Sequence, residues 1–302
     1  MARQFAVEAA DTRLRGVDTL GSGPPVLFVN GGFSTRRQWK RVIGRLAGQY
    51  RTVTYDARGR GASGTSSDYS LRGAVDDVDR VIEATALRRP ILVGWSHGAT
   101  IALCYAAEYP ESIGGLVLID GAYPVSVLDA AGRERVRRRF RRHGWSMRIP
   151  AGPGRSVRMS ARDCAEVVVE TDEVNGDLAA DWAALRRPTV LVVPARDTTG
   201  GTANTMTGNA TGNRTGNPAG TAAVHAVASG EYVTLLATTV GNRARILSED
   251  PDVVAMAIGE VRRRGRPPGA RFVRNVAPVV PSSLLLRAEP VERRGVLNEL
   301  IA

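Results

Sequence analysis

The stretch from Ile91 to Cys104 constrains the fold of this chain more than any other part of its sequence. It reads ILVGWSHGATIALC, which is an apolar run, a serine between two glycines, and then small and apolar residues at helical spacing. This order predicts a strand, a sharp turn and a helix. Gly94, Ser96 and Gly98 fit the pattern G-x-S-x-G, in which a strained turn exposes the serine hydroxyl. Ser96 is therefore a candidate nucleophile.

Two further loops follow apolar runs in the same way. Val26–Asn30 leads into Gly31-Gly32-Phe33, and Arg51–Tyr55 leads into a loop of the form D-x-R-G-x-G-x-S that begins at Asp56. Helical patterns separate these runs along the chain. Strands alternating with helices predict a parallel sheet, and the loops at the carboxyl ends of its strands then meet at one edge.

These three stretches, in this order, resemble the α/β-hydrolase fold family, and the resemblance covers about Gln4 to Arg264. It implies a mostly parallel sheet flanked by helices, with a helical cap inserted over the site. It also implies that Ser96 is the nucleophile and that the backbone N–H groups of His97 and of Gly32 or Phe33 form the oxyanion hole. No metal ion or organic cofactor is expected.

The family resemblance also divides the chain. About 68 residues separate Asp120 from the next predicted strand, and this gap is where the family inserts its cap. We expect residues 1–122 and 186–264 to form the hydrolase core, residues 123–185 to form the cap, and residues 265–302 to be a C-terminal extension. The threonine-, glycine- and asparagine-rich segment 198–221 is predicted to be a mobile loop, because its composition buries little apolar area.

The other two members of a catalytic triad are harder to place. The run TVLVVPARD predicts a strand that ends at Asp197, where the family keeps its acidic member. Asp120, at the end of the preceding strand, is the alternative. The usual position of the histidine holds Arg243 or Ala244, depending on alignment, and neither side chain can accept a proton from Ser96 at neutral pH.

Only three histidines occur in the chain. His225 follows Asp197 and precedes the last predicted strand, so that the chain order allows it to be a displaced base. His143, in the predicted cap, is a second possibility. His97 directly follows the candidate nucleophile, and we expect its ring to be packed under the cap rather than to take part in proton transfer.

The formal net charge is +11, and most of the excess lies in residues 131–162 and 261–302. Arg133–Arg142 (RERVRRRFRR) would place arginines all around a helix, which disfavours an amphipathic membrane helix. We favour a solvated cap helix over a basic entrance for an anionic substrate or an acidic carrier protein. Specific nucleic-acid binding is not expected, since no recognised motif and no basic stripe interleaved with aromatic residues is present.

Three further expectations follow from composition. The two cysteines, Cys104 and Cys164, imply no disulfide framework, and the first ten residues lack the pattern of a secretory signal, so that a cytoplasmic setting is expected. No apolar run is long enough to span a bilayer. In the predicted helix 70–86, Asp76, Asp77 and Asp79 are expected to form a solvated face.

Two functions of different classes follow from the sequence. The leading hypothesis is a serine hydrolase or acyl-transfer enzyme that acts on an ester, thioester, amide or lactone of a small molecule through Ser96. The alternative, based on the missing histidine, is a catalytically impaired or non-hydrolytic homologue that binds or positions a small molecule.

Overall fold

The computed structural model describes residues 2–46, 48–148, 157–194, 223–224, 226–240, 245–265 and 285–286, with side chains for all of these except 143–148 and 285–286. Several predicted features therefore lie outside the described residues: the side chain of His143, the segment 198–221, Asp197, His225, Arg243 and Ala244.

The centre of the molecule is a twisted sheet in which β3 to β8 run parallel and the first two strands are antiparallel. The order of the strands across the sheet is β1-β2-β4-β3-β5-β6-β7-β8. Its strands are β1 (Arg3–Ala9), β2 (Thr12–Asp18), β3 (Pro25–Val29), β4 (Arg51–Asp56), β5 (Ile91–Trp95), β6 (Gly115–Ile119), β7 (Thr189–Val193) and β8 (Val233–Ala237).

Helices cover both faces of this sheet, as its fully buried central strands require. One face packs against α2 and α3, and the other against α1 and α8. The helices are α1 (Lys40–Arg45, after a 3₁₀ turn at Arg36–Trp39), α2 (Leu71–Ala84), α3 (His97–Glu108), α4 (Ala130–Arg148), α5 (Ala161–Asp177), α6 (Ala179–Ala184), α7 (Ile246–Glu249) and α8 (Pro251–Arg264). This architecture confirms the predicted fold class.

A second hydrophobic cluster lies in the segment between β6 and β7, which contains α4, α5 and α6. It includes Val136 and Phe140 of α4 together with Cys164 and Val167 of α5, and the core residue Phe33 packs against it. A separate cluster of this kind supports the division into a core and a cap, whose boundaries remain a prediction. Leu285–Leu286, in the predicted extension, pairs antiparallel with β8 as a short ninth strand.

The prediction of a solvated acidic face on α2 is wrong for two of its three residues. Asp76 is exposed. Asp77 is buried and accepts hydrogen bonds from Arg58 Nε at 2.9 Å and Nη2 at 2.7 Å, while the half-buried Asp79 accepts one from the Tyr105 hydroxyl at 3.0 Å. A carboxylate partner stabilises the buried guanidinium of Arg58. The sequence of α2 alone does not show that Asp77 has this role.

Candidate active site

Ser96 stands at the turn between β5 and α3. Its backbone has φ 55° and ψ −119°, a conformation that costs a non-glycine residue about 1–3 kcal/mol and that clusters at functional sites. The Ser96 N–H donates to the carbonyl of Ile119 in β6 at 2.9 Å. The residue is exposed, and it directly precedes the first turn of a twelve-residue helix. The strained turn therefore presents an accessible hydroxyl beside the positive end of a helix.

Glycines permit this turn because the backbone approaches itself closely around Ser96. A methyl group built on Gly94 would overlap the carbonyl of Gly98, and one on Gly98 would overlap the carbonyl of Val29. A methyl group on Gly121, in the loop after β6, would overlap the carbonyl of Ser96 itself. Backbone atoms cannot move aside as side chains can, so that these contacts fix the position of the serine.

Of the predicted oxyanion residues, Gly32 lies against His97, the residue that follows Ser96. A methyl group built on Gly32 would be 3.6 Å from His97 Cβ, which brings the loop after β3 against the start of α3. The Phe33 ring packs on Phe140 of α4, with 5.6 Å between ring centroids. Within the described part of the chain, no backbone carbonyl accepts a hydrogen bond from the N–H of Phe33 or His97. These two donors are available to a bound oxygen.

His97 is held by the cap helix α5. Its Nδ1 lies 2.8 Å from the hydroxyl of Thr171, and that hydroxyl donates its only proton to the carbonyl of Val167 at 2.5 Å. The histidine is therefore the donor, with the proton on Nδ1. Burial, reinforced by the nearby Arg60 cation, lowers the pKa of His97 to about 3. A neutral imidazole packed in this way fits the expectation that His97 is a packed residue under the cap.

Asp120, the alternative acidic residue, directly follows the carboxyl end of β6. It is buried, its backbone has φ 46°, and its N–H donates to the carbonyl of Val192 in β7 at 2.9 Å. The Tyr123 hydroxyl donates to its Oδ1 at 3.3 Å. Since the next residue, Gly121, touches the Ser96 backbone, the alternative acid is close to the candidate nucleophile.

The loop of the form D-x-R-G-x-G-x-S is a rigid support for the site. Asp56 accepts hydrogen bonds from the N–H groups of Arg36 at 2.8 Å and Ala62 at 3.0 Å. The Ser63 hydroxyl donates to the Asp56 carbonyl at 2.5 Å. Arg60, in the middle of the loop, donates from Nε to the Gly32 carbonyl at 2.9 Å. No local sequence pattern indicates this role of Arg60, because its partner is a backbone atom 28 residues away.

Ion pairs neutralise much of the arginine-rich helix α4. Arg133 pairs with Glu173 at 2.8 Å, Arg137 with Glu166 at 2.9 Å, and Arg141 with Glu134 at 3.0 Å. A groove beside them is lined by Arg137, Arg141, Arg162, Ala165 and Glu166. Local pairing supports the solvated-helix interpretation over a basic entrance. Among the described residues, no helix combines the length and the apolar character needed to cross a bilayer.

Comparison with known proteins agrees with this architecture. Residues 24–156 match the model of the α/β-hydrolase fold family. A 2-(acetamidomethylene)succinate hydrolase of Mesorhizobium japonicum is 35% identical over 101 residues, which are 33% of this chain and 36% of that protein. The chain thus matches only about a third of the length of this curated relative.

Solved structures show the same fold over most of the chain. An esterase from Exiguobacterium antarcticum has a TM-score of 0.65 at 16% identity and covers 86% of this chain and 100% of its own. A thermophilic esterase from Thermogutta terrifontis, with malate bound, has a TM-score of 0.63 at 20% identity and covers 87% of this chain and 99% of its own. At such identities the likeness concerns the fold alone.

Proposed function

We propose that this chain is a serine hydrolase or acyl-transfer enzyme of the α/β-hydrolase fold family, which acts through Ser96. The substrate class is an ester, thioester, amide or lactone of a small molecule. One observation carries the proposal: Ser96 has φ 55° at an exposed strand-to-helix turn, and close backbone contacts hold it there. Such strain persists only where the surrounding structure enforces it, and it typically serves the chemistry of a site.

The reaction assigned to the site is acyl transfer. The Ser96 hydroxyl attacks the substrate carbonyl, and the N–H groups of His97 and of Gly32 or Phe33 bind the oxyanion that forms. A base takes the serine proton and later gives it to the leaving group. His225 is the first candidate for that base and His143 the second, with Asp197 or Asp120 as the acid that orients it.

A non-hydrolytic function is the second candidate, and a specific observation favours it. The histidine next to the nucleophile is bound to Thr171 and has a pKa of about 3, which makes it a poor base at neutral pH. The usual place of the catalytic histidine holds Arg243 or Ala244. Without its base, a site of this kind retains about 10³–10⁴-fold catalysis over water, from the oxyanion hole and substrate binding alone.

Two observations bear on the substrate and the setting. The Mesorhizobium relative is named for a substrate that contains succinate, and the chain has a net charge of +11. The name of the relative supports a small anionic substrate, whereas most of the excess charge lies outside the predicted core, in residues 131–162 and 261–302. The ion pairs on α4 weigh against a second partner, an acidic carrier protein, at that helix. A cytoplasmic setting remains our prediction from the cysteine content.

Labelling with a fluorophosphonate probe tests the proposal, because phosphonylation requires an activated serine. Wild type should be labelled, and Ser96→Ala should not. Of the variants His225→Ala and His143→Ala, the one that removes the base should be labelled much more slowly than wild type. Equal labelling of wild type and Ser96→Ala would refute the assignment of the nucleophile. Negligible labelling of wild type, restored by Ala244→His or Arg243→His, would favour the non-hydrolytic function.

A further inference from the structure

Arg60 is a buried cation whose hydrogen bonds go to backbone carbonyls. Its Nε donates to the Gly32 carbonyl at 2.9 Å, and its Nη1 donates to the Arg58 carbonyl at 2.7 Å. Only 4% of the residue is exposed, and its guanidinium carbon lies 5.9 Å from the centre of the Tyr69 ring. The side chain therefore joins two loops of the core in one fixed arrangement.

Among the described residues, no carboxylate forms an ion pair with Arg60, although the nearby charge of Asp77 favours its protonated form. None of their carboxylates lies within 4.0 Å of its guanidinium, whereas Arg58, two residues earlier, pairs with Asp77 at 2.7 Å. Burial lowers the pKa of Arg60 to about 10, so that it is still protonated at neutral pH. Burying an unpaired cation is costly, and a structural role alone would be served by a neutral side chain.

The Gly32 carbonyl, which accepts from Arg60, is directly connected to a predicted oxyanion donor. It belongs to the same planar peptide unit as the N–H of Phe33, and in a trans peptide these two groups point in opposite directions. A donor that fixes the carbonyl therefore fixes the direction of the N–H. A cationic donor also polarises the peptide, which strengthens the N–H as a donor on its other side.

We propose that Arg60 is a positioning residue, which holds the Gly32–Phe33 peptide so that the Phe33 N–H faces the oxyanion formed at Ser96. The inference rests on the proposed function, since it assigns a role in acyl transfer. Arg60 acts through the peptide and does not contact the reacting atoms.

The test compares Arg60→Met and Arg60→Lys with Arg158→Met. Arg158 is the matched control, because it also donates to carbonyls of this loop, those of Gly61 and Ser63, but not to the Gly32 peptide. The rate of Ser96 phosphonylation should fall about 10- to 100-fold in Arg60→Met, since complete loss of one oxyanion donor costs about 10²–10³-fold. Arg60→Lys should lie between wild type and Arg60→Met, and Arg158→Met should match wild type.

Two further readouts separate this role from others. The protein contains five phenylalanines, so that labelling with ¹⁵N-phenylalanine gives few amide signals. The Phe33 amide signal should shift in both Arg60 variants and should not shift in Arg158→Met. With a small ester, kcat should fall while KM stays within about twofold of wild type. A rise in KM confined to carboxylate-bearing esters, with kcat unchanged, would show instead that Arg60 binds substrate and would overturn the proposal.

Failure of the proposed function can be told apart from failure of this inference. If wild type is not phosphonylated, the acyl-transfer assignment fails, while the Phe33 amide signal still reports whether Arg60 orients the peptide. An unshifted Phe33 signal in a folded Arg60→Met variant, together with wild-type phosphonylation, would contradict the inference. If Arg60→Met does not fold, the same two measurements on Arg60→Lys decide.

Discussion

Around Ser96 the core packs backbone against backbone, whereas the cap contacts the core through side chains, both apolar and polar. Gly94, Gly98 and Gly121 each lie where an added methyl group would overlap a main-chain carbonyl. In the cap, Thr171 binds His97, and Asp172 binds the chain that leads into α4. The difference indicates that the nucleophile turn tolerates almost no substitution, while contacts between side chains in the cap can be replaced one at a time.

The largest effect is expected at the nucleophile turn. In Gly98→Ala the new methyl group would overlap the carbonyls of Val29 and Asn30, so that we expect the variant to be destabilised by more than about 4 kcal/mol or to fail to fold. Gly259→Ala is the matched control, because Gly259 lies inside α8 with no atom within 4 Å of the added methyl group. It should be more stable than wild type by up to about 1 kcal/mol.

Chemical unfolding measures both variants. A Gly98→Ala protein as stable as Gly259→Ala would mean that the backbone contacts at the turn are looser than the structure indicates. The contrast between core and cap would then disappear.

In the cap, we expect the largest loss of stability from the substitution of Asp172. Its buried carboxylate accepts hydrogen bonds from the N–H groups of Val127 and Leu128, both at 3.0 Å, and from the Ser126 hydroxyl at 2.6 Å. Asp172→Ala leaves these donors without their acceptor, and we expect a loss of about 2–4 kcal/mol. The exposed Asp76, which pairs with Arg72 at the surface, provides the control.

Asp76→Ala should change the free energy of unfolding by less than about 0.5 kcal/mol. If the two aspartate variants are equally stable, the hydrogen bonds of Asp172 do not stabilise the cap. Susceptibility to proteolysis in α4 and α5 would show whether the loss is local to the cap.

A smaller effect, which depends on pH, is expected at His97. The pKa of this residue is about 3 in the folded protein and about 6.5 in the unfolded chain. Below about pH 6.5 the unfolded state therefore binds a proton that the native state does not bind. The free energy of unfolding falls as the pH is lowered from about 6.5 towards 3. In His97→Asn an amide N–H can replace Nδ1–H toward Thr171, and the titrating group is removed.

Melting temperatures of wild type and His97→Asn between pH 7.5 and 5 provide the measurement. The melting temperature of wild type should decline more steeply with falling pH than that of the variant. Parallel curves would mean that the imidazole is accessible to protons in the folded state, and the packing of His97 against the cap would have to be revised.

The same contrast explains what could be predicted from the sequence. The strands β3 to β6 and the turn at Ser96 follow from local patterns of apolar residues and glycines. The closeness of Gly32 to His97 is implied by the family resemblance. The role of Asp77 was predicted wrongly, and Arg60 and Asp172 were missed, because each depends on a partner from another part of the chain. His97 and Thr171 are 74 residues apart, and no local periodicity predicts which side chains meet across such a distance.

The central claim is that Ser96 forms a covalent acyl intermediate, and trapping that intermediate tests it most directly. Wild type and Ser96→Ala are mixed with excess p-nitrophenyl acetate, quenched in acid within the first turnovers and analysed by intact mass and peptide mapping. We expect a burst of p-nitrophenol approaching one equivalent and an acetyl group on Ser96, both missing from Ser96→Ala. An acetyl group on another residue, or the same slow p-nitrophenol release from both proteins with no adduct, would contradict the account.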